Sequence, residues 1–324
     1  MKPRRLPVWQ PSDDQMQHWP AVSGNRINGV GDAHTRRPTP IYWHPPETIP
    51  HGPLQRYFYA RTGPEEAVVE ARRERQAAID APLAALSGER LERSAEEWTR
   101  EVKRVAGEVG CDDVGVAVMK PEYVFEGHAV PSQRWMIVLA VAHDYEALRA
   151  APSTRTLVEV TRQYARGTRT AKAVASWLRQ QGHDALPYGG PMAGSFVLIP
   201  AAIEAGLGEL GKHGSMIHRR FGANFRLACV LTDVPLVASK RDVFGADDFC
   251  ASCRLCADAC PPDAIVHDKQ LVRGEVRWYV DFDKCLPYFN ESFGCAICLA
   301  ECPFSRPEIG PRLAEKLAAR RSRT

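Results

Sequence analysis

The segment FCASCRLCADACPPDAI, residues 249–265, carries Cys250, Cys253, Cys256 and Cys260 in the spacing C-x2-C-x2-C-x3-C-P. A second run follows, in which Cys285 precedes Cys295, Cys298 and Cys302 and the last is again followed by proline. Eight of the ten cysteines of the chain lie between 250 and 302. Thiols crowded this closely serve disulfides, zinc or iron–sulfur clusters. Disulfides belong to oxidising compartments and usually staple small secreted domains. A chain of 324 residues, 44% hydrophobic and without an apolar signal segment near Met1, does not fit that use. Structural zinc favours two Cys-x-x-Cys pairs that close one tetrahedral site across a longer spacer. The doubled run fits iron–sulfur ligation better.

It is the spacing of the bacterial two-cluster ferredoxins, in which three close thiolates hold one face of a cubane and the fourth crosses over from the other run. Soft thiolates suit iron and sulfide, and the N–H groups of the tight loops stabilise an anionic cluster. The expectation is two 4Fe–4S clusters. Cys250, Cys253 and Cys256 share one with Cys302, and Cys295 and Cys298 share the other with Cys260 and Cys285. The gap of nine residues between Cys285 and Cys295 makes Cys285 the least constrained ligand. Cys111 and Cys229 sit beside apolar runs and read as core.

The chain ahead of Phe249 is long enough for one large domain or two. A net charge of only +3 gives no reason to expect nucleic acid or another polyanion as partner. No apolar run approaches the ~18–20 residues that span a bilayer, so no membrane association is expected. Residues 1–64 are rich in Pro, Trp and His with little periodicity, the habit of a segment that wraps along a surface or stays partly disordered. Residues 64–86 read as a polar helix ending near Pro82. Ser94 and Glu97 form a capping box before a helix whose Trp98, Val102, Val105 and Val109 share one face up to Gly110. Residues 111–119 and 134–143 read as strands, the second apolar enough to be buried on both faces. A long helix over 154–181 carries the stripe Leu157, Tyr164, Ala171 and Leu178, with Gly182 as its stop. SFVLIPAAIEAG then supplies a short apolar run and a helix, and 225–237 another buried strand. Elements in the order α, β, β, α, α, β predict a mixed α/β sandwich rather than a bundle.

Gly206, Gly208 and Gly211 in AGLGELG match G-x-G-x-x-G, the dinucleotide fingerprint, but that fingerprint needs a strand before it and a helix after it. Here a helical stretch precedes and a loop follows, so a nucleotide site is not expected. Glycines at 206, 208, 211 and 214 would let the backbone lie against a flat or bulky ligand. The competing reading is a plain helix cap followed by a turn.

AAIEAGLGELGKHGSMIHRRFGANFRLACVLTDVPLV, followed by the first cysteine run and then by WYVDFDKCLPYFNESFGCAICLAECPFSRP, resembles the cobalamin-dependent reductive dehalogenases. It is more distantly similar to epoxyqueuosine reductase, in which the glycine stretch continues into a tryptophan rather than Glu209. The resemblance runs from about Arg134 to Arg306 and includes VLAVAHDYEALRAAPS and QYARGTRTAKAVASWLRQQGHDALP. It implies an α+β protein: a nitroreductase-like mixed α/β sandwich core with a C-terminal bacterial-type two-cluster ferredoxin domain. The boundaries would be an N-terminal segment and helix over 1–90, the corrinoid-binding domain over 91–240 and the cluster domain over 241–324.

The implied function is reductive removal of halide from a small, aromatic organohalide. Cobalamin would bind base-off against Gly206, Gly208, Gly211, Lys212, His213 and Gly214. An external low-potential donor (a ferredoxin, flavodoxin or reductase) would feed the clusters. The family's tyrosine acid and its basic partner fall on Tyr164 and Arg226; the competing readings are a core tyrosine and a strand-edge arginine. Tyr188 and Met192 are further pocket candidates. No acid lies between Leu186 and Ala202, which weighs against epoxide reduction. His143, His183 and His213 read as loop or surface residues, because a base-off corrinoid needs no protein ligand. Arg4 and Arg5 are not followed by an apolar segment, which points to a cytoplasmic enzyme. A corrinoid reductase of a non-halogenated substrate, a corrinoid-handling protein and a non-catalytic electron carrier stay open, as does the oligomeric state.

Overall fold

In the computed structural model, which describes residues 8–62, 65–190, 194–292 and 294–322, WMIVLAVA (135–142) is the heart of a four-stranded sheet. Chain order introduces helices α1 (Gly52–Arg61), α2 (Glu66–Asp80) and α3 (Ala95–Glu108) and strands β1 (Asp113–Val118) and β2 (Trp135–Ala142). Helix α4 (Thr154–Gln180), β3 (Ala185–Gly189), α5 (Leu198–Glu204) and β4 (Phe225–Thr232) follow. The sheet runs β1-β2-β4-β3, every pair antiparallel. Met136 to Val141 of β2 are wholly buried, because helices cover both faces. Alternation along β2 and β4 sends Ile137, Leu139, Ala228 and Val230 to α3 and α4, where Trp98, Val102, Val174 and Leu178 meet them. Met136, Val138, Cys229 and Leu231 face α5 and its Ala201 and Ala202. Each large aliphatic side chain buried this fully contributes about 1.5–3 kcal/mol.

The local signals account for most of these boundaries. Ser94 Oγ accepts from Glu97 N–H at 3.2 Å while Glu97 Oε2 accepts from Ser94 N–H at 2.9 Å, so the capping box opens α3. Gly182, at φ +83°, follows the end of α4. Strand β4 stops at Thr232, short of the expected 237, where Asp233 and Pro235 interrupt the apolar run; proline cannot donate to a ladder. Strand β3 was not expected, since ALPYG has neither length nor alternation to announce it.

The cluster module is built from α6 (Ala246–Ser252), a hairpin of β5 (Gln270–Val272) and β6 (Glu275–Arg277), α7 (Phe282–Glu291) and α8 (Ile309–Arg321). The N-terminal segment lies on this module. Trp9 N–H donates to Pro261 O at 3.0 Å, and Gly31 N–H to Leu271 O at 2.8 Å. Gln15 Nε2 donates to Pro287 O at 3.1 Å and Tyr42 OH to Asn290 Oδ1 at 2.7 Å, both in buried surroundings. Among the described residues no helix is long and apolar enough to cross a membrane.

Candidate cofactor sites

The first cysteine quartet surrounds a small pocket. Cys250, Cys253, Cys256 and Cys302 line it together with Lys212, His213, Phe249, Pro303 and Phe304. Cys250 is carried by α6, whose start is held by a buried carboxylate. Glu209 Oε2 accepts from the N–H groups of Phe244, Gly245 and Ala246 at 2.8, 2.7 and 2.9 Å. Charge-assisted bonds of this kind are the strong ones, and they tie the glycine-rich stretch to the cluster module. Lys212 acts on the same quartet. Its amide N–H points at Cys250 Sγ at 3.5 Å, its Nζ donates to Cys253 O at 2.9 Å, and its ammonium lies 5.0 Å from the centre of the Trp278 ring.

Cys260, Cys285, Cys295 and Cys298, the second quartet, line one wall of a much larger cavity of about 820 Å³. Cys285, the ligand least constrained by spacing, is brought to the others by α7. Cys295 and Ala296 both have left-handed backbones, φ +53° and +74°, an uncommon conformation for residues with a Cβ. Burial pushes the free thiols up, Cys250 and Cys295 to about 11 and Cys256, Cys285 and Cys302 to about 12. Such thiols stay protonated at neutral pH unless a metal replaces the proton. No three His, Cys, Asp or Glu side chains among the described residues are gathered tightly enough for a lone metal ion. The four cysteines of each quartet do line one common pocket, as the ligands of one cluster must.

The rest of the large cavity is apolar on one side and basic on another. Val197, Ile199 and Ile203 of the α5 region line it, as do Leu210, His213 and Gly214. The β5–β6 hairpin adds Arg273 and Arg277, and Tyr123, Tyr279 and Tyr288 reach it from three separate segments. Burial, reinforced by the neighbouring guanidiniums of Arg277 and Arg36, pulls Arg273 down to about 10. Burial pushes Tyr123 and Tyr279 up to about 12. These residues carry no local motif, and sequence reasoning missed them.

Of the six residues expected to hold the corrinoid, only His213 and Gly214 line the large cavity. Gly206 is the left-handed residue just after α5, and a Cβ there would lie 2.3 Å from Lys240 O. A Cβ on Gly208 would lie 2.1 Å from Ile217 O, across the short hairpin of Glu209–Leu210 and Met216–Ile217. Both glycines are required by the protein's own backbone, as a helix stop and a close approach. The dinucleotide fingerprint follows a helix, and its Glu209–Leu210 pairs with Met216–Ile217 in a short hairpin.

Tyr164, on α4, and Arg226, on β4, do meet. The Arg226 guanidinium carbon lies 5.2 Å from the centre of the Tyr164 ring, and that of Arg75 lies 5.8 Å from it. Arg226 Nε is buried with no hydrogen-bond partner among the described residues. The pair does not line the large cavity. Gly190, at the end of β3, adjoins the pair: a Cβ on it would lie 2.9 Å from Tyr164 Cδ1. Tyr188 packs edge-on against Phe196 with centroids 4.9 Å apart, and Met192 lies outside the described residues. The three histidines expected in loops or at the surface all lie in connecting loops, and all are buried there. His183 is fixed by Leu91 O at 2.7 Å and by the Trp98 ring edge. His143 lies 3.6 Å from Glu159, and burial lowers it to about 4.

Fold and site together define a mixed α/β domain joined to an iron–sulfur module, and known proteins agree. Residues 249–305 match the 4Fe-4S dicluster domain family. The tetrachloroethene reductive dehalogenase of Desulfitobacterium hafniense is 33% identical over 213 residues, 61% of this chain and 38% of that protein. The epoxyqueuosine reductase of Cyclobacterium marinum is 33% identical over 122 residues, 32% of this chain and 36% of that one. The catabolic reductive dehalogenase NpRdhA, solved with 3-bromo-4-hydroxybenzoic acid, superposes with a TM-score of 0.73 at 21% identity, over 94% of this chain and 47% of that one. The chain thus resembles the reductive dehalogenases in sequence and shares their fold, and it spans well under two thirds of the length of these relatives.

Proposed function

We propose that the chain is a cobalamin- and iron–sulfur-dependent oxidoreductase of the reductive dehalogenase type, acting on a small aromatic organohalide. The observation that carries this reading is the opening of the second cysteine quartet directly onto a cavity of about 820 Å³. Small-molecule sites usually measure ~300–1,000 Å³, so this one is at the roomy end. A pure electron carrier needs no such space beside its cluster. Its apolar wall and basic hairpin suit a large cofactor with an apolar body and polar substituents, held in a nitroreductase-like core.

In this reading Cys250, Cys253, Cys256 and Cys302 hold one 4Fe–4S cluster and Cys260, Cys285, Cys295 and Cys298 the other. The second lies on the cavity and is the near one; the first takes electrons from an external low-potential donor. A corrinoid, when bound, supplies the chemistry that cleaves the carbon–halogen bond. Tyr164 delivers the proton to the carbon. The Arg226 guanidinium beside its ring favours the phenolate that remains, and arginine keeps its charge where burial would neutralise lysine. This role requires the substrate to reach the end of the sheet where Gly190 meets Tyr164. The base-off state, the cytoplasmic setting and a division near residues 90 and 240 complete the proposal.

The test is purification without oxygen from cells supplied with corrinoid, followed by a visible spectrum, the mass of the extracted cofactor and an assay with a halogenated phenol or benzoate. Corrinoid, about 8 iron per chain and halide release are expected. Iron and sulfide without corrinoid, from corrinoid-replete cells, would overturn the reading in favour of an electron carrier.

A further inference from the structure

The pocket of the first quartet and the large cavity share His213 as a wall residue, with Lys212 beside it on the quartet side. The His213 ring is buried, and its Nδ1 accepts from the Ser215 backbone N–H at 3.2 Å. A neutral imidazole that accepts at Nδ1 carries its proton on Nε2. That Nε2–H has no hydrogen-bond partner among the described residues. Buried donors are rarely left unmade, and one in a cofactor wall needs an acceptor. The chain also makes room for the ring: a Cβ on Gly211 would lie 2.7 Å from its Cε1 and 2.8 Å from its Nε2. The adjoining Lys212 amide already points at Cys250 Sγ.

We propose that His213 Nε2–H donates a hydrogen bond to a sulfur of the cluster held by the first quartet, and so raises that cluster's reduction potential. Reduction adds negative charge to the cluster sulfurs, and a donor aimed at them stabilises the reduced state. The inference rests on the two-cluster part of the reading above and on neither the corrinoid nor the organohalide.

The experiment is a redox titration of the clusters by electron paramagnetic resonance, on protein carrying clusters but no corrinoid. Cys253→Ala identifies the first quartet's signal by removing it. In His213→Phe, that signal's midpoint should fall by the equivalent of a tenfold change in the reduction constant, 59 mV for one electron. The other midpoint and the iron content should not move, and His213→Gln, which keeps an N–H, should recover most of the shift. Unchanged midpoints in His213→Phe with full iron would overturn the proposal, as would an equal shift in both clusters. Should His213→Phe lose iron, Gly211→Ala decides by the same reading, since its new Cβ must displace the ring: a lowered first midpoint supports the bond and an unmoved one overturns it. Because no organohalide is present, failure here leaves the dehalogenase reading to its own test.

Discussion

The two cysteine quartets use the same ligands at nearly the same spacing and sit in opposite surroundings. The first is closed in by Lys212, His213, Phe249 and Phe304, with a backbone N–H and a lysine directed at it. The second has its back to α7 and its face to the large cavity. Cys298 shows how different the two are: its thiol is hemmed in by protein and pushed well up by burial, yet it keeps accessible surface, which faces the cavity. Ligand identity therefore says that a cluster is held, and the surroundings say what it is for. A closed, donor-rich site suits a relay whose potential is adjusted by the protein. An open one suits delivery to whatever fills the cavity.

The harshest way to break this comparison is to delete one ligand from each side. Cys253→Ala and Cys298→Ala should each lose about half of some 8 irons per chain, and both should abolish turnover. They should differ in one respect: with a strong chemical reductant small enough to enter the cavity, Cys253→Ala regains activity and Cys298→Ala does not. Identical behaviour of the two variants would mean that the cavity does not select the second quartet.

A change that touches neither quartet sharpens it further. Tyr164→Phe removes one hydroxyl from a ring already packed between guanidiniums, so iron, corrinoid and thermal stability should be unchanged. Dehalogenation of an aryl halide should fall by about 10²-fold, the scale on which a positioned acid matters. Arg226→Lys should fall between, keeping the charge and losing the planar fork. Unaltered turnover in Tyr164→Phe would return that residue to the core and move the search to the cavity tyrosines, Tyr123, Tyr279 and Tyr288.

The smallest effect separates the glycines that serve the fold from the one that faces the cavity. Gly208→Ala meets Ile217 O at 2.1 Å and a φ of +131°, so it should cost about 1–3 kcal/mol, read as a lowered thermal midpoint. Gly214→Ala meets a Val280 methyl at 3.0 Å, at φ +73°, a neighbour that can give way. Its stability loss should be the lesser, with corrinoid content the property that falls. The reverse order would restore Gly208 as a ligand contact.

What the amino-acid sequence determined by itself is what local spacing controls. A Cys-x2-Cys-x2-Cys run turns three thiols to one side whatever surrounds it, and Ser94 with Glu97 caps a helix within one turn. The uniform apolarity of 135–142 demanded a central strand, because only a strand covered on both faces can hide it. The glycine stretch was ambiguous, since a backbone lying on its own carbonyls and one lying on a cofactor call for the same residue. Only the tertiary structure decided that Lys212 and His213 stand between the quartets' surroundings, and that Arg273 and Tyr279 line a cavity with Cys298. It alone brought the N-terminal segment against the cluster module through bonds such as Gln15 to Pro287 and Tyr42 to Asn290. These contacts join residues some 250 positions apart. Their energy depends on which surfaces the folded chain leaves facing each other, and no window of neighbouring residues contains that information.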